Sequence, residues 1–353
     1  MAESPPIDLL ALFSRFGREQ KLSLRDAASH DAFLASAREA LGSAVNNDTL
    51  MHGQRTENMF AALVVSLGHY KLLNREDSGA VRPLGQFQAP DFRVVMNDGN
   101  QWLVEVKNFF DAEPGRQVFD VTAEYLARLQ SYSDVMRCPL KLAIYWARWR
   151  IWTLIEPSDL EPRNGRLAID VFKAARVNQL AALGDRTIGT TPPLKFRLLV
   201  DTEKPREIKE NGEVAFTIAR AAFYSGEEEI TDPAEQQIAW MLADLGDWEC
   251  EGPLPHISDG KLNSIELMWA PRERSNSEQD FEMIGTLSTM YSRHYATQTL
   301  NEQGVVQTEA EVVPGWFAPL VASNLASQAL PLWRFILQPN RPDKAVLEAT
   351  SEG

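Results

Sequence analysis

The sequence contains little of what several classes of enzyme site require. Its 353 residues include two cysteines, Cys138 and Cys250, too few for a disulfide framework or a multi-cysteine zinc site. The five histidines are scattered and form no H-E-x-x-H motif, which argues against zinc catalysis. Neither a phosphate-binding glycine loop, a dinucleotide-binding glycine pattern nor a Ser-His-Asp signature occurs. The sequence therefore gives no support to zinc, nucleotide-dependent or serine-hydrolase chemistry.

Long apolar runs are also missing. No stretch of 18 apolar residues occurs, so we expect no transmembrane helix and no membrane partner. Residues 1–17 lack a basic segment, and the apolar run at 7–13 is too short and interrupted for a signal peptide. Together with the scarcity of cysteine, these features predict a cytoplasmic protein.

Acidic residues outnumber basic ones, but unevenly. The net charge is -14, yet residues 1–200 hold 24 basic and 23 acidic side chains, whereas 201–353 hold 11 and 26. Residues 137–197 contain 11 basic and five acidic side chains. Because nucleic-acid binding depends on the local charge of one surface, this segment is compatible either with phosphate contacts or with an ordinary solvated face. The acidic half is more suited to a protein partner or a second copy of the chain.

The pattern of helices and strands predicts an α/β protein with four parts. These are an N-terminal helical region at 1–50, a core at 51–200, an acidic α+β accessory domain at 201–338 and a polar tail at 339–353. Within the core we predict helices from Thr56 to about Tyr70, over 118–132 and near 167–183, a hairpin over 92–106, and strands at 141–147, 149–155 and 196–200. In the accessory domain we predict a helix from Pro233 to Leu245.

The second strand of the predicted hairpin carries charges where a buried face is expected. Side chains alternate along a strand, so Leu103, Glu105 and Lys107 share one face. Burying a carboxylate and an ammonium there is costly unless they pair or bind something. This pair is the first candidate for chemistry.

The turn determines whether Asp91 joins this pair. A two-residue turn would pair Phe92 with Glu105 and send Asp91 to the opposite face. A three-residue turn over 98–100 would pair Asp91 with Lys107 and bring all three polar groups to one side. Both registers are open from the sequence.

Glu57 lies on the inward stripe of its predicted helix. Phe60, Ala61 and Val64 are its neighbours at helical spacing, so its carboxylate faces the core. It could interact with the helix dipole, accept a structural hydrogen bond or join the other carboxylates.

Clustered carboxylates with a lysine suit metal-assisted phosphodiester hydrolysis. Carboxylate oxygens hold Mg²⁺, which lowers the pKa of a bound water and offsets charge in the transition state. The lysine could orient or deprotonate the attacking water. Mutual repulsion of the carboxylates favours a bound cation.

These residues resemble the PD-(D/E)XK nuclease superfamily, which includes restriction endonucleases and Holliday-junction resolvases. Pro90-Asp91 is similar to the first half of the motif, and Glu105-Val106-Lys107 to the second. The resemblance covers about 50–200 and implies a restriction-endonuclease-like core, a mixed central sheet flanked by helices.

The resemblance also implies roles for single residues. Asp91 and Glu105 would bind Mg²⁺, for which Mn²⁺ can substitute, and Lys107 would serve the water. Glu57 would complete the metal site or hold a second ion. Gln130 stands where some families have an auxiliary glutamine. The implied function is an Mg²⁺-dependent nuclease acting on DNA in restriction, phage defence or repair.

Two alternatives share these residues. One is an RNA nuclease with the same site, and the other is an inactive nuclease-fold module that binds a protein through its acidic half. A second E-x-K sequence, Glu207-Ile208-Lys209, lies among charged residues without apolar alternation, which is typical of a solvated loop.

Tryptophan and arginine alternate in one segment outside the candidate site. Trp146, Trp149 and Trp152 are interleaved with Arg148 and Arg150. Such a pattern can stack nucleic-acid bases, although strand tryptophans more often lie in a core.

Overall fold

The structure is a computed structural model that describes residues 9–76, 85–274, 279–321 and 329–340. Contacts divide the chain into two compact units, Met1–Arg55 and Thr56–Gly353. None of the helices in the described ranges combines the length and apolar composition that a membrane span requires. Most of the predicted polar tail, 341–353, lies outside the described residues.

The first unit is helical, as expected for the N-terminal region. Asp26 caps its second helix by accepting hydrogen bonds from the backbone N–H groups of Ala28 and Ser29. Phe13 packs edge-on against Phe33. The unit contains α1 (Leu9–Gln20), α2 (Ala27–Val45) and the first turns of α3 (Asp48–Leu67).

The second unit combines helices with several small sheets. In chain order its described elements after α3 are β1 (Tyr70–Arg75), β2 (Phe92–Met96), β3 (Gln101–Phe109), β4 (Val118–Val121), α4 (Ala123–Met136), β5 (Leu140–Trp146), β6 (Ile151–Ile155), β7 (Glu161–Arg163), β8 (Arg166–Asp170), α5 (Val171–Arg176), β9 (Thr187–Thr190), β10 (Leu194–Val200), β11 (Ile218–Ser225), β12 (Glu228–Ile230), α6 (Pro233–Leu245), β13 (Glu249–Ser258), β14 (Lys261–Ala270), β15 (Glu282–Thr286), α7 (Leu287–Thr299), β16 (Leu300–Asn301), β17 (Gly304–Val305), α8 (Ala318–Val321) and β18 (Leu332–Phe335).

The central sheet has the order β1-β2-β3-β5-β6. Only β3 and β5 run parallel, and the other neighbours are antiparallel. Phe60 of α3 belongs to the hydrophobic cluster on one face of the sheet, with Val94 and Val104. Leu129 of α4 packs with Leu103 in a second cluster on the opposite face. The α/β class with a mixed central sheet between helices is therefore confirmed.

The expected domain boundary at 200 is not confirmed. Strand β10 pairs with β11 and β14 in a second sheet, of order β12-β11-β10-β14-β13. Leu194 of β10 lies in the same hydrophobic cluster as Phe60 of α3 and Tyr291 of α7. The two predicted parts thus share one core.

The helix predicted near 167–183 is wrong in its first part. Residues 166–170 form β8, which pairs with β4 and β7, and only then does α5 begin. Asp170 ends the strand and caps α5 by accepting a hydrogen bond from the Lys173 backbone N–H at 2.9 Å. The helix over 233–245, by contrast, is confirmed residue for residue as α6.

A three-residue turn over 97–99 joins β2 to β3. The Met96 N–H donates to the Asn100 carbonyl at 2.8 Å, and the Gly99 N–H donates to the Met96 carbonyl at 3.0 Å. Gly99 has a φ of 90°, a conformation that glycine adopts at little cost. The glycine therefore determines where the turn closes, one residue earlier than the three-residue turn considered from the sequence.

This turn sets a register that neither sequence alternative contained. Phe92 pairs with Val104, and Arg93 pairs with Leu103. Continuing the same register by one residue brings Asp91 opposite Glu105. Since paired residues share a face, Asp91 and Glu105 lie on the same side of the hairpin.

Candidate active site

Asp91 is held at the entrance to β2, close to the middle of β3. Its carbonyl accepts a hydrogen bond from the Glu76 N–H at 3.0 Å, which extends the pairing of β1 with β2. Its side-chain Oδ2 accepts from the Val106 N–H at 2.7 Å. The carboxylate of Asp91 is therefore fixed against the backbone between Glu105 and Lys107.

The surroundings of Asp91 favour its protonated form. Burial and the neighbouring charge of Glu105 raise the pKa of Asp91 to about 7, although the Val106 N–H acts in the opposite direction. The charge of Glu57 raises this pKa further, and that of Lys107 lowers it. A cation binding here would compete with a proton near neutral pH.

Glu105 is almost fully buried, with 3% of its surface exposed. Its Oε1 accepts hydrogen bonds from Lys107 Nζ at 2.5 Å and from the Tyr125 hydroxyl. Its Oε2 is buried without a hydrogen-bond partner in the described part of the chain. A buried carboxylate oxygen without a partner is costly, and it is the type of oxygen that a hard divalent cation binds.

Lys107 contacts two side chains through its ammonium group. Nζ lies 2.5 Å from Glu105 Oε1 and donates to the Tyr125 hydroxyl at 2.9 Å. Burial lowers the pKa of Lys107, but the Glu105 charge and the Tyr125 hydroxyl outweigh it, so the pKa is raised. Lys107 therefore remains an ammonium at neutral pH, which favours charge stabilisation over proton abstraction.

Tyr125 is a residue of the candidate site to which no sequence motif points. It lies in the first turn of α4, where Thr122 caps the helix by accepting from the Tyr125 backbone N–H at 3.2 Å. Its hydroxyl touches both Glu105 and Lys107. Burial and the charge of Glu105 raise the pKa of Tyr125 to about 12, so the hydroxyl keeps its proton. The helical spacing placed Tyr125 on an apolar face and gave no sign of its polar end.

Glu57 has a different partner from the one expected. Its Oε2 accepts a hydrogen bond from Arg75 Nη1 of β1 at 2.8 Å, and Arg75 Nη2 donates to Asn58 Oδ1 at 2.7 Å. Within the described ranges, no group of three histidine, cysteine, aspartate or glutamate side chains is arranged to hold a metal ion. Glu57 as a metal ligand therefore stays a prediction.

Gln130 binds along its own helix. Its Nε2 donates to Asp134 Oδ1, one turn later on α4, at 2.9 Å. This contact does not bring it to the carboxylate pair, and its auxiliary role also stays a prediction.

The two carboxylates of the hairpin fit a hydrated Mg²⁺. Mg²⁺ keeps several waters and is commonly bound by one or two carboxylates together with substrate phosphate. Asp91 and Glu105 provide two carboxylates on one face, one of them with a buried oxygen that lacks a partner. A third protein carboxylate is not required for such a site.

The second E-x-K sequence has none of these features. Lys209 pairs with Glu213 at 2.9 Å, and both side chains are about two-thirds exposed, at 65% and 64%. Ile208 forms an isolated bridge with Val214. The segment is a solvated loop, as expected.

Comparisons with known proteins do not assign this chain to a family. No protein-family model matches the sequence, and no curated protein matches it. Among solved structures, one that is similar to part of the chain is Hjc, a Holliday junction resolvase of the archaeal hyperthermophile Archaeoglobus fulgidus. It is 19% identical with a TM-score of 0.29, over 35% of this chain and 91% of that one. At this level of similarity, the activity of that protein does not carry over to this chain.

Proposed function

We propose that this protein is an Mg²⁺-dependent nuclease that hydrolyses phosphodiester bonds of DNA. The observation that carries the proposal is the hairpin geometry, in which Asp91 and Glu105 share one face and Lys107 contacts Glu105 at 2.5 Å. The same residues carry the resemblance to PD-(D/E)XK nucleases.

Each side chain then has a chemical role. Asp91 and Glu105 would bind the metal, which when bound supplies a Lewis acid and lowers the pKa of a coordinated water. Lys107, held as an ammonium by Glu105 and Tyr125, would lie against the phosphate and stabilise its negative charge. The Tyr125 hydroxyl donates to Glu105 Oε1 and accepts from Lys107 Nζ, so it would orient both side chains.

The charge distribution supports a nucleic-acid substrate. The basic segment 137–197 begins just before β5, the parallel neighbour of β3 in the central sheet. Arginine and lysine contacts to phosphate position a nucleic acid without reading its sequence. We therefore assign the substrate contacts to this side of the chain rather than to the acidic half.

A plasmid-nicking assay tests the proposal. Supercoiled DNA is incubated with Mg²⁺ and the wild type, Glu105→Gln, Lys107→Ala or the control Lys209→Ala, which alters the solvated E-x-K sequence. We expect nicking by the wild type and the control, and losses of about 100-fold or more in the two site variants, as for removal of a charge-stabilising group elsewhere.

Two results would contradict this function. The first is a wild type that cleaves no DNA with Mg²⁺ or Mn²⁺ and whose melting temperature does not respond to either ion. The second is cleavage of RNA in place of DNA, which would retain the site but replace the substrate.

A further inference from the structure

The turn between β5 and β6 separates the tryptophans that the sequence groups together. Trp146 and Trp152 are buried in the two hydrophobic clusters of the central sheet. Trp149 lies in the turn and is only partly buried, between the exposed side chains of Arg148 and Arg150. The core interpretation therefore holds for two of the three tryptophans.

An exposed phenylalanine extends this turn into a surface. Phe172 of α5 is 70% exposed and meets Trp149 edge-on, with ring centroids 5.5 Å apart. Arg176 follows one helical turn later on the same side of α5 and is also exposed. We call Arg148, Trp149, Arg150, Phe172 and Arg176 the tip surface.

The tip surface carries three arginine side chains. Three acidic side chains on adjacent elements pair with other bases: Glu161 with Lys173, Asp120 with Arg166, and Glu113 with Arg116. Asp170 caps α5 by accepting a hydrogen bond from the Lys173 backbone N–H. In the described ranges, the three arginines of the tip surface have no carboxylate within salt-bridge distance. An exposed ring, Phe172, and a partly exposed ring, Trp149, among these arginines are suited to a ligand with both flat apolar faces and negative charges.

This surface lies beyond the end of β5, the strand that pairs with the Lys107 segment of β3. Strands β3 and β5 are parallel, with Lys107 paired to Ile144, and the Ala147 N–H donates to the Phe109 carbonyl at 2.8 Å. The turn therefore begins about 10 Å along the sheet from the level of Lys107, at the rise per residue of a strand. Trp149 and Tyr125 also pack against the same hydrophobic cluster.

We infer that the tip surface binds a single-stranded segment of DNA and delivers it to the carboxylate pair. The arginines would contact phosphates, and Phe172 and Trp149 would stack on bases. Base faces are free in a single strand but covered in a duplex, so the rings favour DNA with an unpaired strand. The choice of DNA as the ligand rests on the proposed function.

Binding measured without metal tests the ring contacts. Fluorescence anisotropy in EDTA compares a labelled oligothymidylate of about 20 nucleotides with a blunt duplex of equal length. We expect the wild type to prefer the single strand. Phe172→Ala should weaken single-strand binding by about five-fold or more, as for loss of one stacked base, and leave duplex binding unchanged. Circular dichroism verifies that the variant is folded.

The salt dependence tests the arginine contacts. Replacing Arg148 and Arg150 together by alanine should lower the slope of log affinity against log salt by about 1.4 for single strands, the value for two phosphate contacts. Arg18→Ala with Arg38→Ala is the charge-matched control, since both arginines are exposed in the first unit. This control should leave the slope unchanged.

Three outcomes would overturn the inference: wild-type affinity in Phe172→Ala, a preference for the duplex, or tighter binding of an RNA of equivalent sequence. Its failure is distinguishable from failure of the nuclease proposal. Metal-dependent cleavage that requires Lys107, together with unchanged binding by Phe172→Ala, supports the nuclease and rejects the tip surface. Single-strand binding that requires Phe172, without any cleavage, supports the tip surface alone.

Discussion

At the residue scale, the position of Asp91 in the candidate active site carries an energetic cost. Its pKa is raised to about 7, chiefly by burial and by the Glu105 charge, against an ordinary value of 3.8. Between these two values the unfolded chain ionises while the folded protein keeps its proton. Rising pH therefore lowers the free energy of unfolding over this window, and above about pH 7 the loss is complete.

Replacing Asp91 by asparagine should remove this cost together with one ligand of the proposed metal site. In EDTA we expect Asp91→Asn to melt at a higher temperature than the wild type, with a difference that grows from pH 4 to pH 7 and is constant above. At pH 8 the gain should be about 1–3 kcal/mol. Thermal unfolding followed by circular dichroism measures it.

Exposed Asp98, in the turn of the same hairpin, provides the control. Asp98→Asn should show no comparable pH-dependent gain. Mg²⁺ should stabilise the wild type and Asp98→Asn, because a ligand of the folded state raises its stability, but not Asp91→Asn. A pH-independent difference between Asp91→Asn and the wild type would contradict the burial argument.

Tyr125 is expected to act as a positioning residue. Tyr125→Phe removes the hydroxyl shared by Glu105 and Lys107 and should reduce the cleavage rate about 10-fold, equivalent to one lost hydrogen bond between charged and polar groups. The loss should fall on kcat more than on KM. Steady-state cleavage kinetics measure both.

Tyr132 is a matched control on the same helix. Its hydroxyl donates to Glu76 Oε2 at 2.5 Å, away from Lys107. Tyr132→Phe should change stability to a similar degree while leaving the cleavage rate intact. Equal rate losses in both variants would indicate that Tyr125 acts only through the fold.

Strand alternation was sufficient to place Glu105 and Lys107 on one face. It could not place Asp91, because the answer depended on which residue of the turn takes positive φ. Tyr125 could not be predicted as a site residue for another reason. Its helical spacing indicates only that the ring packs in the core, whereas its contact with Glu105 and Lys107 depends on where α4 lies against the sheet. Local sequence patterns predict on which face of a helix or strand a residue lies, whereas contacts between elements depend on tertiary structure.

At the scale of elements, Gly99 determines the alignment of the hairpin. A Cβ at this position would meet no atom within 4 Å, so substitution causes strain only through its φ of 90°. We expect Gly99→Ala to lower the unfolding free energy by about 1 kcal/mol. Urea unfolding measures this change.

Gly115 is the control for Gly99. It also has open space where a Cβ would stand, but its backbone does not adopt positive φ. Gly115→Ala should therefore be close to neutral. Equal losses in the two variants would mean that glycine at position 99 serves something other than the turn.

Elements with a strong local signal were predicted best. Asp232 caps the helix over 233–245, and Pro233 occupies its first turn, so both start signals are present in the sequence. Residues 166–170 carry no such cap, and pairing with β4 and β7 made them a strand. Their partners are distant in sequence or weakly patterned, so periodicity alone could not find them.

At the scale of the whole molecule, the shared core predicts that the part over 51–200 does not fold alone. A fragment over 48–200 keeps α3 and the central sheet but leaves β10 without β11 and β14. It also exposes Leu194 and Phe60, which pack in one cluster with α7. We expect no cooperative melting of this fragment by near-ultraviolet circular dichroism.

The longer fragment 48–340 is the reference and should melt cooperatively. A cooperative transition in both fragments would support the domain boundary at 200 that composition suggested. That boundary rested on the change in charge near residue 200. Charged residues lie mainly on the surface, however, so the charge distribution cannot reveal a buried hydrophobic cluster that contains residues from both sides of position 200.

The acidic half uses part of its charge internally. Glu266 pairs with Arg197 of β10 at 2.5 Å, and Glu249 pairs with Arg272 at 2.5 Å. A protein partner or a second copy of the chain for the remaining acidic surface stays a prediction.

The hydrogen bond from the Val106 backbone to Asp91 gives the protein a built-in reporter. The Val106 amide donates to the Asp91 carboxylate, whose pKa is raised and which is a proposed ligand of Mg²⁺. Its proton resonance should therefore move when Asp91 titrates and move again when Mg²⁺ arrives. The chemical shift of the Val106 amide proton would then report the charge state of Asp91 without any label on substrate or metal.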